Sequence, residues 1–204
     1  MANEQVHYKD LENISSKDYE ILMEVALANK YPVERLIKAY GIESSYGTNP
    51  KMNTGSYQGP FQFSINTGGA FGLVDTSKKS DDRHDLKKSA QAYIRSIIEK
   101  ERGMRNRISN ETGNFEWIDS LDPSLRDYLL HQQGGLGVAR IALAHYDGDT
   151  GERGSQWYMN KLDREGTLLA NLSRSQQKEM RRLDTPRKKI EYFLEKTQKN
   201  LQGE

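Results

Sequence analysis

The stretch "YPVERLIKAYGIESSYG", residues 31–47, decides how this chain is read. Val33, Leu36, Ile37 and Tyr40 recur at helical spacing, and three residues beyond Tyr40 the same inward row ends in an acid, Glu43. Pro32 suits the first turn of such a helix, and Gly47 is placed to end it. A carboxylate there has two reasons to hold its proton: desolvation disfavours the anion, and the negative end of the helix dipole adds to that. A carboxylic acid still protonated near neutral pH can donate a proton to a leaving group. The plainer alternative is a solvated glutamate at a helix end.

Outward from this stretch the periodicity is helical nearly throughout. Ser15 and Asp18 read as a capping box for a helix to about Asn29, with Ile21, Leu22, Val25 and Leu27 or Ala28 on its apolar side. Residues 51–80 are rich in Gly, Asn, Thr and Ser, which predicts a long loop with at most a short strand or one turn of helix. Within it, "YQGPFQFS", residues 57–64, sets Gln62 between Phe61 and Phe63, both expected in the core. Asp85 opens a helix that turns Leu86, Ala90, Tyr93, Ile94, Ile97 and Ile98 to one side. Asp122-Pro123 starts another, which "QQGGLG" is expected to interrupt before it resumes over Val138–Tyr146. A polar loop is expected at 147–156, followed by two helices capped by Ser173 and Thr185, the second with Pro186 at N1. The sequence therefore predicts an all-α fold with, at most, a very small β element in the 51–80 loop. The organisation expected is an N-terminal arm (1–16), a main domain (17–150) and a C-terminal helical extension (151–204) that either packs on that domain or stands apart.

Composition removes whole classes of chemistry. There is no cysteine, so disulfides, thiol nucleophiles and thiolate metal sites are absent together. The four histidines show no metal-binding pairing, and no metal or other cofactor is expected. Formal net charge is +1, which argues against a general nucleic-acid role. No apolar run approaches the ~20 residues that a membrane-spanning helix needs, so no membrane insertion is expected. The polar first residues lack the apolar core of a signal peptide, which predicts synthesis in a cytoplasm without an export signal. Between Ser173 and Lys199 nine basic residues face four acidic ones. That pattern reads as a solvated helix face or, more sharply, as a patch for an anionic surface.

Four segments taken in order, "IESSYGTNP", "GPFQFS", "DLKKSAQAYIRSII" and "LLHQQGGLGVARIALAHY", resemble the lytic transglycosylase catalytic domain of the lysozyme superfamily. The likeness is to the soluble lytic transglycosylase type and, within it, to bacteriophage peptidoglycan-degrading enzymes. Glu43-Ser44 with Gly47 and Asn49-Pro50 match the family's Glu-Ser motif, and Gly59, Pro60, Phe61 and Gln62 stand for its Gly-Leu-Met-Gln. Ala90, Tyr93 and Ile94 match its Ala-x-x-Tyr-Leu signature. At the family's Ala-Tyr-Asn-Ala-Gly motif the chain departs, with Leu130, His131, Gln132, Gln133 and Gly134. A His-Gln-Gly form is frequent in phage relatives, and the change leaves open which residue orients Glu43.

The resemblance implies a bacterial peptidoglycan substrate, with Glu43 as the catalytic acid and Ser44, Gln62, Tyr93, His131 and Gln132 around the sugar. Ser44 has a second reading, as a backbone staple at a helix end, Gln62 has one as a loop amide satisfying backbone groups, and Tyr93 and His131 have second readings as core residues. Glycosidases that use two carboxylates hold them about 5 Å or about 6.5–9.5 Å apart. No acid lies between Glu43 and Asp75. That points to a single-acid route that closes a 1,6-anhydro ring on the sugar. Asp75, Asp81 and Asp82 keep a lysozyme-type muramidase open, and a non-catalytic wall-binding virion component is the rival of another class. The expectation is a monomer that acts on the periplasmic wall, either released at lysis or carried in the phage particle. The glycines 134, 135 and 137 lack a phosphate-loop context and read as letting a sugar or another helix approach closely.

Overall fold

In a computed structural model, residues 12–49, 52–146, 154–165, 168 and 172–202 are described. The fold is all-α, as expected: the described residues form nine helices and four strands of two residues each. The chain divides into two units, Met1–Ile98 and Glu99–Glu204.

The first unit begins with an antiparallel helix pair. Helix α1 (Ser16–Ala28) starts where the Ser15 hydroxyl accepts the Asp18 N–H, and it buries Leu22, Val25 and Ala26. Its inward face centres on these three, leaving Leu27 exposed. Helix α2 (Val33–Ser44) buries Leu36, Ile37, Ala39, Tyr40 and Ser44. Two details differ from expectation. Pro32 is the N-cap of α2, just ahead of its first turn, and the helix is ended by Ser45 at the C-cap, whose φ of 50° is left-handed two residues before Gly47. The Tyr40 hydroxyl donates to Asp18 Oδ2 at 3.0 Å, tying α2 to the first turn of α1.

The 51–80 segment is more structured than its composition predicts. Strands β1 (Tyr57–Gln58) and β2 (Phe63–Ser64) pair antiparallel, helix α3 (Ile65–Ala70) follows, and β3 (Val74–Asp75) pairs with β4 (Ser80–Asp81). Helix α4 (Leu86–Glu111) then begins in the first unit, with the Asp85 carboxylate accepting the Lys88 N–H, and continues into the second.

In the second unit, α5 (Glu116–Ser120) leads to α6 (Pro123–His145), against which α7 (Ser155–Glu165) and α9 (Pro186–Gln202) pack, with α8 (Arg174–Arg181) beside α9. The expected interruption of α6 shrinks to one residue. Only Gly134 (φ 67°, ψ 167°) leaves helical geometry, and the helix resumes at once. Gly135 is where α4 comes closest, since a Cβ there would overlap the Lys100 carbonyl oxygen. The reading that these glycines admit another helix therefore holds at Gly135. Helix α7 was not foreseen: Ser155 starts it inside the expected loop, and it buries Tyr158, Met159 and Leu162. The caps at Ser173 and Thr185 form as expected. Ile190, Phe193 and Leu194 of α9 are buried, so the C-terminal helices belong to the core of their unit.

Candidate active site

The last turn of α2 carries Glu43, which is half-buried. After it, Ser45, Tyr46 and Gly47 adopt left-handed φ values of 50°, 55° and 79° in succession. A non-glycine residue in that region is strained by about 1 kcal/mol or more, so neighbouring groups must hold the run in place. Ser44 is the nearest of these. Fully buried, its Oγ donates to the Tyr40 carbonyl at 2.7 Å and accepts the Gly47 N–H at 3.0 Å. The Ser45 N–H donates to the Gly41 carbonyl at 2.8 Å, and the Asn49 N–H to the Ser44 carbonyl at 3.0 Å. Gly41 leaves the space that the Tyr46 ring fills, and Gly47 leaves room for the Tyr40 hydroxyl. The two tyrosine rings meet edge to face, with centroids 6.1 Å apart. Burial, reinforced by the Asp18 carboxylate, pushes the Tyr40 phenol well above its ordinary pKa, so it stays a neutral donor.

Gln62 ends a tight turn in which its N–H donates to the Gly59 carbonyl at 3.1 Å. Its own φ is 49°. Its side-chain Nε2 donates to the carbonyls of Met52 (3.1 Å) and Gly59 (2.8 Å). Two carbonyl partners fix which end of the amide is nitrogen, and Oε1 is left with no hydrogen-bond partner among the described residues. Beside it, Phe61 is fully buried between Tyr93 (centroids 4.9 Å apart) and Tyr40 (6.1 Å). This stack draws the end of α2, the Gln62 turn and the Tyr93 ring of α4 together. Phe61 and Phe63 are core, as expected.

Arg83, which sequence reasoning passed over, braces the Gln62 hairpin. Only 3 % exposed, it donates to the Phe63 carbonyl (3.0 Å), to Gln58 Oε1 (3.0 Å) and through Nε and Nη2 to Asp81. One guanidinium therefore joins both hairpins. Gly59 is required by the same packing, since its φ is 79° and a Cβ would overlap the Arg83 carbonyl oxygen. The Arg83 guanidinium holds Asp81 well below the usual carboxylate range, down to about 2.

The other acids that could serve as a second carboxylate are likewise engaged locally. Asp75 accepts from Ser77 Oγ and N and pairs with Lys78, contacts that lower its pKa, the Ser77 hydroxyl foremost. Asp82 pairs with Lys88 at 2.8 Å. His131 and Gln132 belong to the second unit, on α6 just before the Gly134 break. His131 is half-buried, with its carbonyl accepting from Lys100 Nζ at 3.2 Å, and Gln132 is exposed.

Among the described residues no group of three or more His, Asp or Glu is placed to hold a metal ion, and no helix is long and apolar enough to cross a membrane. No protein-family model matches the chain, and comparison with curated proteins and with solved structures returns no match.

Proposed function

We propose that this chain is a peptidoglycan lytic transglycosylase that cleaves the β-1,4 bond after N-acetylmuramic acid, with Glu43 as its single catalytic acid. The observation that carries the reading is the braced helix end. A half-buried glutamate lies in the last turn of the helix, with Ser44 alone between it and three successive left-handed residues, and the aromatic stack leads from that helix end to the Gln62 loop. Glu43 protonates the departing oxygen, and the substrate's N-acetyl group stabilises the sugar cation. The carboxylate so formed takes the proton of the 6-hydroxyl, which closes the 1,6-anhydro ring without water. Gln62 offers its Oε1 as an acceptor to the sugar. The local engagement of Asp75, Asp81 and Asp82 supports the one-acid route over a muramidase. The chain acts on the bacterial wall, at lysis or from the phage particle.

The test is mass spectrometry of purified peptidoglycan after digestion. The wild-type chain should release 1,6-anhydromuramoyl products, and Glu43→Gln should release none while its circular dichroism is unchanged. Mainly reducing muramic ends, with Asp75, Asp81 or Asp82 essential, would make the chain a hydrolase. Undiminished digestion by Glu43→Gln would remove the proposal altogether.

A further inference from the structure

The outer face of α8 keeps an arrangement that helix stability alone does not favour. Arg174, Lys178 and Arg181, with Arg182 at the C-cap, recur at intervals of four, three and one. This spacing puts all four on one side, away from the buried Met180, and all four are exposed. Arg174 occupies the first helical position, where a positive charge opposes the helix dipole. Arg174 with Lys178, and Lys178 with Arg182, are like charges one turn apart, which is also destabilising.

No neighbouring acid among the described residues forms an ion pair with this face. Glu179 accepts the Tyr192 hydroxyl at 2.5 Å, Asp184 pairs with Lys188 at 2.9 Å, Glu191 with Arg187 at 2.9 Å, and Glu195 with Lys196 and Lys199. The side chains of Arg174, Lys178, Arg181, Arg182 and Lys189 form no ion pair with a described residue. Arg181 and Lys189, with Met180 and Asp163, line a groove of about 240 Å³.

Resting on the wall-directed reading above, we infer that this face docks a phosphodiester-bearing anionic polymer of the bacterial wall. Arg174 to Arg182 spans about 12 Å of helix, longer than one phosphate group, which suits a chain of repeated anions. Helix α8 presents no exposed apolar or aromatic side chain, so it offers neither an anchor for lipid nor a platform for a nucleic-acid base.

The experiment is sedimentation of the full chain carrying Glu43→Gln, so that walls stay intact, with purified walls before and after chemical removal of their phosphodiester polymers. Removal should weaken binding on the order of tenfold at low salt, and neutralising the face with R174Q, K178Q, R181Q, R182Q and K189Q should give the same loss with a flatter salt dependence. A companion variant with the three arginines changed to lysine keeps the charge and should retain binding. Equal binding to intact and depleted walls overturns the inference, and that arm needs no change to α8. Tighter binding to duplex DNA, or to vesicles of phosphatidylcholine and phosphatidylglycerol, overturns it in favour of those partners. Binding is read on a chain without its catalytic acid, so failure of the lytic proposal and failure of this one are separate results.

Discussion

The break after Glu43 in the first unit and the break in α6 of the second are held by different means. In the first, the break after Glu43 is made by serine and tyrosine at positive φ, held by the Ser44 hydroxyl and by the Tyr40 and Tyr46 rings. Arg83 braces the loop that follows in the same way. In the second, the break in α6 is made by glycine alone: Gly134 supplies the backbone angles and Gly135 the space. A glycine break needs no side chain to maintain it. A break built from side chains strains the chain locally and fixes the groups around it.

Substitutions can break this contrast, and the largest effect belongs to the second unit. Gly135→Ala should destabilise the chain by about 3 kcal/mol, because its Cβ meets the backbone of α4, which cannot give way as a side chain could. A urea midpoint equal to wild type would mean that the two helices are not held this close. Arg83→Met removes the hydrogen bonds to Phe63 and Gln58 and should cost about 2 kcal/mol. It should also remove an acid-sensitive part of stability. The folded pKa of Asp81, about 2, lies below its ordinary 3.8, so the unfolded chain takes up the proton first. The stabilisation is complete above the higher value and disappears as pH falls through the lower one. Wild type should lose stability over that interval more steeply than Arg83→Met, and parallel profiles would count against the pair.

Smaller still, Gly134→Ala should cost about 1.5 kcal/mol, since its φ and ψ lie in a region kept almost wholly for glycine, though a Cβ would meet open space. Ser45→Gly should act in the other direction. It relieves a left-handed serine and should stabilise the chain by about 0.5 kcal/mol, net of the greater freedom of glycine when unfolded. Destabilisation by Ser45→Gly would show that the serine is not strained.

Which features were legible follows from how local their causes are. The caps at Ser15, Asp85, Ser173 and Thr185 act over three residues and could be read directly. So could the inward row of α2, and Phe61 and Phe63 as core. The extent of the α6 break was not legible. Glycine lowers helix propensity everywhere, yet burial of Gly135, Val138 and Ala139 carries the helix through all but one residue. Helix α7 has Tyr158, Met159 and Leu162 at helical spacing, but the signal covers little more than a turn and follows a Gly-rich stretch. The brace at Arg83 was beyond local reading, because it exists only once two hairpins, separated in sequence, close around one side chain. Near Glu43, the Glu-Ser pair was visible, whereas the roles of Gly41 and Tyr46 depend on a ring folding back over its own helix.

The single guanidinium that ties both hairpins also bears on how this part of the molecule opens. Amide protons far apart in sequence, such as Gly59 N–H on the Met52 carbonyl and Asp82 N–H on the Leu73 carbonyl, sit on opposite sides of the same tie. Neither hairpin can lift away without breaking a contact of Arg83. Their exchange with solvent deuterium should therefore follow one shared opening free energy, a cooperative unit set by one side chain instead of two loops that breathe independently.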